Sequence, residues 1–256
     1  MMRIAVLGPD PAQGFPDPAT ALHDPPGLLA MGGDLAPRRL IDAYVCGIFP
    51  WYSEGEPILW WSPDPRMVLE PGRLHLPRRF RRFLRTCGWE VGIDRDFPAV
   101  IRACATVPRR GQRGTWITQE MIAAYCTLHR LGWAHSVEVR EKGVLVGGIY
   151  GLAIGRAFFG ESMFSLRANA SRVALTALCR ALIDSGIQLL DGQVESPHLR
   201  QLGFAPMPRQ DFLQRITVLC RPATRTDLAH LDPARLQPPA LATPTSPAPA
   251  PAPDPA

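Results

Sequence analysis

The sequence predicts an α+β fold built as a small loop-rich module followed by a larger sheet domain, and three observations predict it. After Thr115, three apolar runs of strand character follow one another, and then come a helical pattern and one more strand. That order suits a mixed, mainly antiparallel sheet and not an alternating, doubly wound one. Residues 1–68 are instead rich in Gly, Pro and Trp. Finally, 16 of the 24 residues from Pro233 onward are Pro or Ala, a composition that buries too little apolar surface to offset its ordering entropy. The expected divisions are therefore 1–68, 69–221 and an extended, disordered tail over 222–256.

In the first module one helix is expected from about Pro37 to Cys46. Pro37 suits its first turn, Leu40, Ile41, Tyr44 and Val45 make one apolar stripe, and Gly47 stops it. The prolines in Ile48–Tyr52 and Leu59–Arg66 rule out a regular central strand there. Arg73–Arg85 carries six arginines with Phe80, Phe83 and Leu84 at helical spacing, which predicts an amphipathic helix with a basic outer face. Arg109, Arg110 and Arg113 form a second basic group in a Gly-containing loop.

Thr118 can cap a helix running to Leu131, with Gly132 beyond its end. His135–Arg140 alternates as a half-buried strand should. Val144–Gly151 and Ile154–Glu161 read as two more strands linked through Gly151 and Gly155. Asn169 can open a helix that buries Val173, Ala174, Ala177, Leu178, Ala181 and Leu182. Ile187–Val194 then reads as a buried strand and Ser196–Leu202 as a short helix.

The bulk properties bound the function. The 256 residues carry a net charge of +5, almost all of it arginine, since Lys142 is the only lysine. This permits a nucleic-acid partner without specifying one. No apolar run approaches a membrane span, and the short run Ile4–Leu7 ends at Gly8-Pro9, so a cytosolic protein is expected. The six cysteines stand singly, as reduced thiols do. Cys126, His129 and His135 could sketch a zinc half-site, but a helix face and a histidine on the next strand explain them better, because structural zinc wants four ligands.

Two strand ends carry the chemistry. Glu161 ends an apolar strand, and Asp191 and Gln193, two apart on a buried strand, should share a face. A buried carboxylate must find donors or a cationic partner. A capping role for Asp191, with Gln193 satisfying backbone, competes with a catalytic one.

Eight segments in unbroken order resemble the leucyl/phenylalanyl-tRNA–protein transferase family: Leu28–Leu35, Gly47–Tyr52, Pro57–Val68, Thr115–Thr118, His135–Glu138, Leu145–Gly151, Gly160–Ser165 and Asp191–Gln193. The resemblance spans roughly Phe15 to Ile216. It implies a large domain like the GNAT acyltransferases, transferring Leu or Phe, and occasionally Met, from tRNA to proteins beginning with Arg or Lys and marking them for N-degron degradation. It places the catalytic pair on Asp191 and Gln193 and substrate contacts on Trp51, Trp116, Phe158 and Glu161. Ile149 and Leu175 would join Phe158 around an apolar slot, with Glu161 holding the aminoacyl amine at its mouth. Trp51 and Trp116 would stack on the terminal adenine. Arg78, Arg79, Arg81, Arg82, Arg109 and Arg110 would hold tRNA phosphates. The expected partners are aminoacyl-tRNA bearing Leu or Phe and proteins with N-terminal Arg or Lys, with no membrane, cofactor, metal or second subunit.

The sequence departs from the family pattern at Gly192, where a Cys is usual, at Phe204, where Gly-Ala is common, and at Arg167, one place later than usual. Two rival functions remain. An acetyl-CoA-dependent acetyltransferase would need a Gly-rich loop entering a helix, whereas Phe164–Asn169 has no glycine; Arg200-x-x-Gly203-x-Ala205 fits the loose motif but follows the wrong strand. A non-catalytic RNA-binding protein would use the arginines and tryptophans but has no need of Asp191 beside Gln193.

Overall fold

The computed structural model describes residues 4–10, 13–107, 116–228 and 230–243. In chain order the elements are β1 (Ala5–Leu7), β2 (Leu28–Gly32), α1 (Pro37–Val45), β3 (Phe49–Pro50), β4 (Leu59–Trp61), β5 (Arg66–Leu69), α2 (Arg78–Thr86), β6 (Glu90–Ile93), α3 (Phe97–Thr106), α4 (Gln119–Arg130), β7 (Ala134–Glu141), β8 (Val144–Ile154), β9 (Ala157–Ser165), α5 (Ala170–Asp184), β10 (Leu189–Gln193), α6 (Pro197–Leu202), β11 (Ala205–Met207), α7 (Arg209–Cys220) and α8 (Pro238–Leu241).

Strands β1-β2-β4-β3 form a small sheet, and β11-β5-β10-β9-β8-β7-β6 form a seven-stranded one. Every neighbouring pair in the large sheet is antiparallel except β9 and β10. The α+β class with a mixed, mainly antiparallel sheet is therefore present. One face packs against α5 through Val173, Ala174, Ala177, Leu178, Ala181 and Leu182, the stripe expected from spacing. The other is covered by α3, α4 and the small sheet, with Trp60, Phe97 and Tyr125 fully buried.

Several expectations are corrected, each for a local reason. Leu59–Trp61 is an inner strand of the small sheet, between β2 and β3, and Arg66 opens β5, itself an inner strand paired with β10 and β11. Pro63 and Pro65 fall just before it, so no ladder donor is lost. β7 is buried on both faces, because its polar residues find partners. The Ser136 hydroxyl donates to Glu138 at 2.6 Å, and His135 Nδ1 meets Asp94 at 2.6 Å. Burial pushes the Glu138 carboxyl up to about 7. β8 continues past Gly151, with a register shift against β9 between Tyr150 and Gly151; a Cβ there would lie 2.1 Å from the Phe159 carbonyl oxygen, so the glycine admits a neighbouring strand and makes no turn. In α1 the buried face is Arg39, Leu40, Ala43 and Tyr44, while Ile41 and Val45 are only partly buried. The basic segment splits into a 3-10 turn at Pro71–Arg73 and α2, which buries Phe80 and Leu84 and exposes Arg78, Arg79, Arg82 and Arg85.

The tail expectation also changes. Residues up to Thr243 fold back onto the domain, burying Leu228, Leu236 and Leu241 against the α5 side of the sheet. The Gln237 side chain donates to the Val91 carbonyl at 3.1 Å and accepts the Val91 N–H at 3.2 Å, so its amide pairs with β6 as another strand would. Arg235 meets Asp184 at 2.9 Å. Residues 244–256, also expected to be disordered, lie outside the described residues. Truncating Leu236 or Leu241 to Ala should destabilise the protein by about 2 kcal/mol or more, read from denaturant unfolding; an unchanged midpoint would show that the segment does not pack.

Candidate active site

The site begins where β9 and β10 part. Their parallel register runs from Ala157–Leu189 to Phe159–Asp191, after which β9 continues to Ser165 and β10 to Gln193. Between them opens a cavity of about 580 Å³, lined by Glu161, Met163, Leu175, Leu190, Gly192 and Phe204 among others. A second cavity of about 140 Å³ lies beside it, lined by Phe49, Pro50, Trp51, Trp116, Glu161, Gly192, Gln193 and Val194. Glu161 and Gly192 border both.

Asp191 is fully buried, and its partner is Arg66 on β5. Arg66 Nε donates to Oδ1 at 2.9 Å, and Nη2 donates to Oδ2 at 2.7 Å. The guanidinium also donates from Nη1 to the Gly47 carbonyl at 2.9 Å and lies against the Phe49 and Phe212 rings, 4.8 and 4.6 Å from their centroids. A two-pronged pair with a further donor bound to a carbonyl is the geometry in which a buried charge is tolerated. Asp191 Oδ1 additionally accepts the main-chain N–H of Gln193 at 2.8 Å.

That last bond corrects the expected geometry. A bulge lies between Asp191 and Gln193, and Gln193 sits at φ 62°, in the left-handed region unusual for a residue other than glycine. Simple alternation therefore fails. The contact between the pair runs from the Asp191 carboxylate to the Gln193 main chain, and the Gln193 side chain donates to Glu161 Oε1 at 2.8 Å.

Glu161 receives two more hydroxyls from helices on the far side of the sheet. The Tyr44 hydroxyl of α1 lies 2.6 Å from Oε1 and the Tyr125 hydroxyl of α4 lies 3.0 Å from Oε2, both in hydrogen-bond contact, and the two phenol oxygens are themselves in hydrogen-bond contact. Burial, with these hydrogen bonds opposing it, moves the Glu161 carboxyl up to about 7, and burial raises both tyrosine hydroxyls well above their usual range.

Of the other expected contacts, Ile149 and Leu175 line the larger cavity, and Trp51 and Trp116 line the smaller one with Gln193. Phe158 does not line either cavity. Its ring is fully buried in the core behind Gly151, because residue 158 precedes the point where the strands diverge. Arg78, Arg79 and Arg82 project from α2 into solvent, while Arg81 is half-buried beside Arg180 and Leu241. Arg109 and Arg110 lie outside the described residues. His129 stacks on Phe97 and His135 is paired with Asp94, and among the described residues no three candidate ligands converge on a metal site.

The two departures at Gly192 and Phe204 are one adjustment. A Cβ on Gly192 would lie 2.8 Å from the Phe204 ring, so the ring occupies the space that a side chain at 192 would take. Sequence reasoning missed Arg66, Tyr44 and Tyr125. The signals were a buried carboxylate in need of a cation and phenols on buried helix faces in need of acceptors.

Arg66→Ala should destabilise the protein by about 3–5 kcal/mol by leaving Asp191 buried and unpaired, with Arg66→Lys recovering part. Urea unfolding of the two variants checks this, and a loss under about 1 kcal/mol for Arg66→Ala would show that the pair contributes little.

Comparison with known proteins agrees with the resemblance. The profile described as leucyl/phenylalanyl-tRNA protein transferase matches residues 68–217, and the profile for that protein's N-terminal domain matches 33–64. The chain is 58% identical over 219 residues to the leucyl/phenylalanyl-tRNA–protein transferase of Xanthomonas axonopodis pv. citri (strain 306), covering 85% of this chain and 88% of the relative. It is 56% identical over 223 residues to the protein of that name from Xylella fastidiosa (strain M23), covering 87% and 90%. Among solved structures, a GCN5-related N-acetyltransferase from Kribbella flavida is similar over 63% of this chain and 57% of its own, at 16% identity and a TM-score of 0.36.

Proposed function

The chain belongs to the leucyl/phenylalanyl-tRNA–protein transferase family, and from that premise we propose that it moves Leu or Phe, and less often Met, from aminoacyl-tRNA to the α-amino group of proteins beginning with Arg or Lys, marking them for N-degron degradation. The reaction breaks the ester between amino acid and ribose and forms an amide. The amine loses one proton and the ribose oxygen gains one. The ester is already activated, so alignment is the main task.

The observation that carries this reading is the meeting of two cavities at Glu161 and Gly192, with Gln193 lining the smaller one. The larger one is apolar enough on its Ile149, Leu175 and Met163 side to take the amino acid side chain. The smaller one offers Trp51 and Trp116 to the terminal adenine. The ester then lies over Gln193, whose side-chain N–H is held by Glu161 and whose carbonyl oxygen can accept a hydrogen from the attacking amine. Asp191 acts as a positioning residue, fixing the Gln193 main chain. The arginines of α2 hold the acceptor stem by its phosphates. We place the division between the small and large modules just ahead of Arg66, where the chain enters the large sheet, and assign the enzyme to the cytosol as a monomer. No helix among the described residues is long and apolar enough to cross a membrane.

The acetyl-CoA alternative finds little support at α5. The Ser171 N–H in its first turn is taken by the Ser165 hydroxyl at 2.8 Å, so that donor is not free for a pyrophosphate.

The decisive experiment mixes the protein with charged tRNA and an Arg-initiated peptide and follows amide formation. Gln193→Ala should lower the rate by about a hundredfold or more while tRNA binding persists, and it separates chemistry from folding because no ion pair is cut. Wild-type turnover in that variant would remove Gln193 from the mechanism. Leu175→Phe should shrink the slot and reduce kcat/KM for Phe more than for Leu, by about tenfold; equal losses for both would place the side chain elsewhere.

A further inference from the structure

Three oxygen–oxygen contacts close a triangle around Glu161: Tyr44 to Oε1, Tyr125 to Oε2, and Tyr44 to Tyr125. A phenol brings one proton, and an ionised carboxylate brings none. With Glu161 ionised, two protons must serve three contacts, and both are drawn to the carboxylate. The two phenol oxygens would then face each other with no hydrogen between them. A third proton resolves the count. Placed on Oε2, it is donated to the Tyr125 oxygen, Tyr125 donates to Tyr44, and Tyr44 donates to Oε1, which as the carbonyl oxygen also accepts the Gln193 amide at 2.8 Å. Every contact then holds one hydrogen.

We propose that in the empty site Glu161 carries a proton on Oε2, closed into a hydrogen-bonded ring by Tyr44 and Tyr125, and gives it up when the ammonium group of an amino acid ester binds beside it. The second half rests on the reading of Glu161 as the group that faces the aminoacyl amine. The O–H bond of the carboxyl breaks. The proton passes to solvent when the ligand arrives as an ammonium, or to the ligand nitrogen when it arrives as a free amine. In either case an ammonium–carboxylate pair results. Tyr44 and Tyr125 are positioning residues.

The groups facing Glu161 agree with this. From α1 and α4 come neutral phenols, with the Tyr150 hydroxyl of β8 behind Tyr125. From β10 come Gln193 and the Asp191 carboxylate, whose negative charge opposes ionisation of Glu161. The nearby cation, Arg66 of β5, is bound in two prongs to Asp191. Among the described residues an empty site therefore offers Glu161 no free counter-charge, and against these a bound ammonium would be the first. The raised carboxyl, at about 7, fits that surrounding. The sign follows: Glu161 is mainly neutral below about pH 7, so an ammonium ligand must displace its proton there.

The test has one arm without ligand and one with it. Glu138 is also raised to about 7 and would add its own signal, so full-length E138Q serves as background. Its infrared spectrum at about pH 6 should show a carboxylic-acid C=O band that disappears by about pH 9 and is missing from E138Q/E161Q. Identical spectra for the two proteins at about pH 6 would overturn the proposal.

The ligand arm uses amide-linked phenylalanyl-adenosine, whose free α-amine imitates the ester's. Calorimetry in buffers of different ionisation enthalpy should count nearly one proton released per ligand at about pH 6. Affinity should rise about fivefold toward pH 7.5 and fall once the ligand amine loses its charge. E161Q, whose amide can still donate and accept within the ring, should release no proton and lose the acid limb of that profile. Binding without proton release in the wild type overturns the coupling alone. Absence of binding with the acid band intact overturns the coupling and the transfer reading together.

Discussion

The buried pair of Arg66 and Asp191 holds the rest of the site in place. It ties β5 to β10, the second and third strands of the large sheet, and through the Gly47 carbonyl it ties that sheet to the turn after α1. Removing a guanidinium and a carboxylate from water is costly, and two-pronged geometry with stacking rings on Phe49 and Phe212 offsets that cost. The Asp191 carboxylate also holds the next residue but one in an unfavourable backbone conformation. The energy that the pair contributes to folding thus keeps Gln193 turned toward Glu161 and away from a regular ladder.

Much of the fold was legible because it rests on local signals. Thr118 accepts the Met121 N–H and starts α4 as its position suggested, and the α5 stripe packs on the sheet as its spacing required. The misses occur where a distant partner decides. Nothing local to Pro63–Arg66 says that a strand follows, because its neighbours β10 and β11 come more than a hundred residues later. His135, Ser136 and Glu138 look solvent-facing in sequence and are buried because Asp94 and the turn around it supply partners.

The site divides in the same way. Its carboxylates, Glu161 and Asp191, stand in recognisable segments, whereas Tyr44 and Tyr125 do not, and the roles of all four depend on geometry that spacing does not carry. Asp191 and Gln193 are two apart, and a bulge sends their side chains to different partners. Phe158 and Glu161 are three apart on one strand, yet only Glu161 lies beyond the point where β9 leaves β10. Gly192 and Phe204 are intelligible only together, since the ring fills what the glycine leaves.

The Gln237 amide on Val91 has a consequence beyond local packing. β6 is the last strand of the seven, and a bare outer strand recruits other chains into intermolecular sheets. A side chain from the C-terminal segment already uses the central amide and carbonyl of that strand. The fold-back after α7 thereby acts as a guard against aggregation, so shortening the chain by those residues would endanger solubility before it touched catalysis.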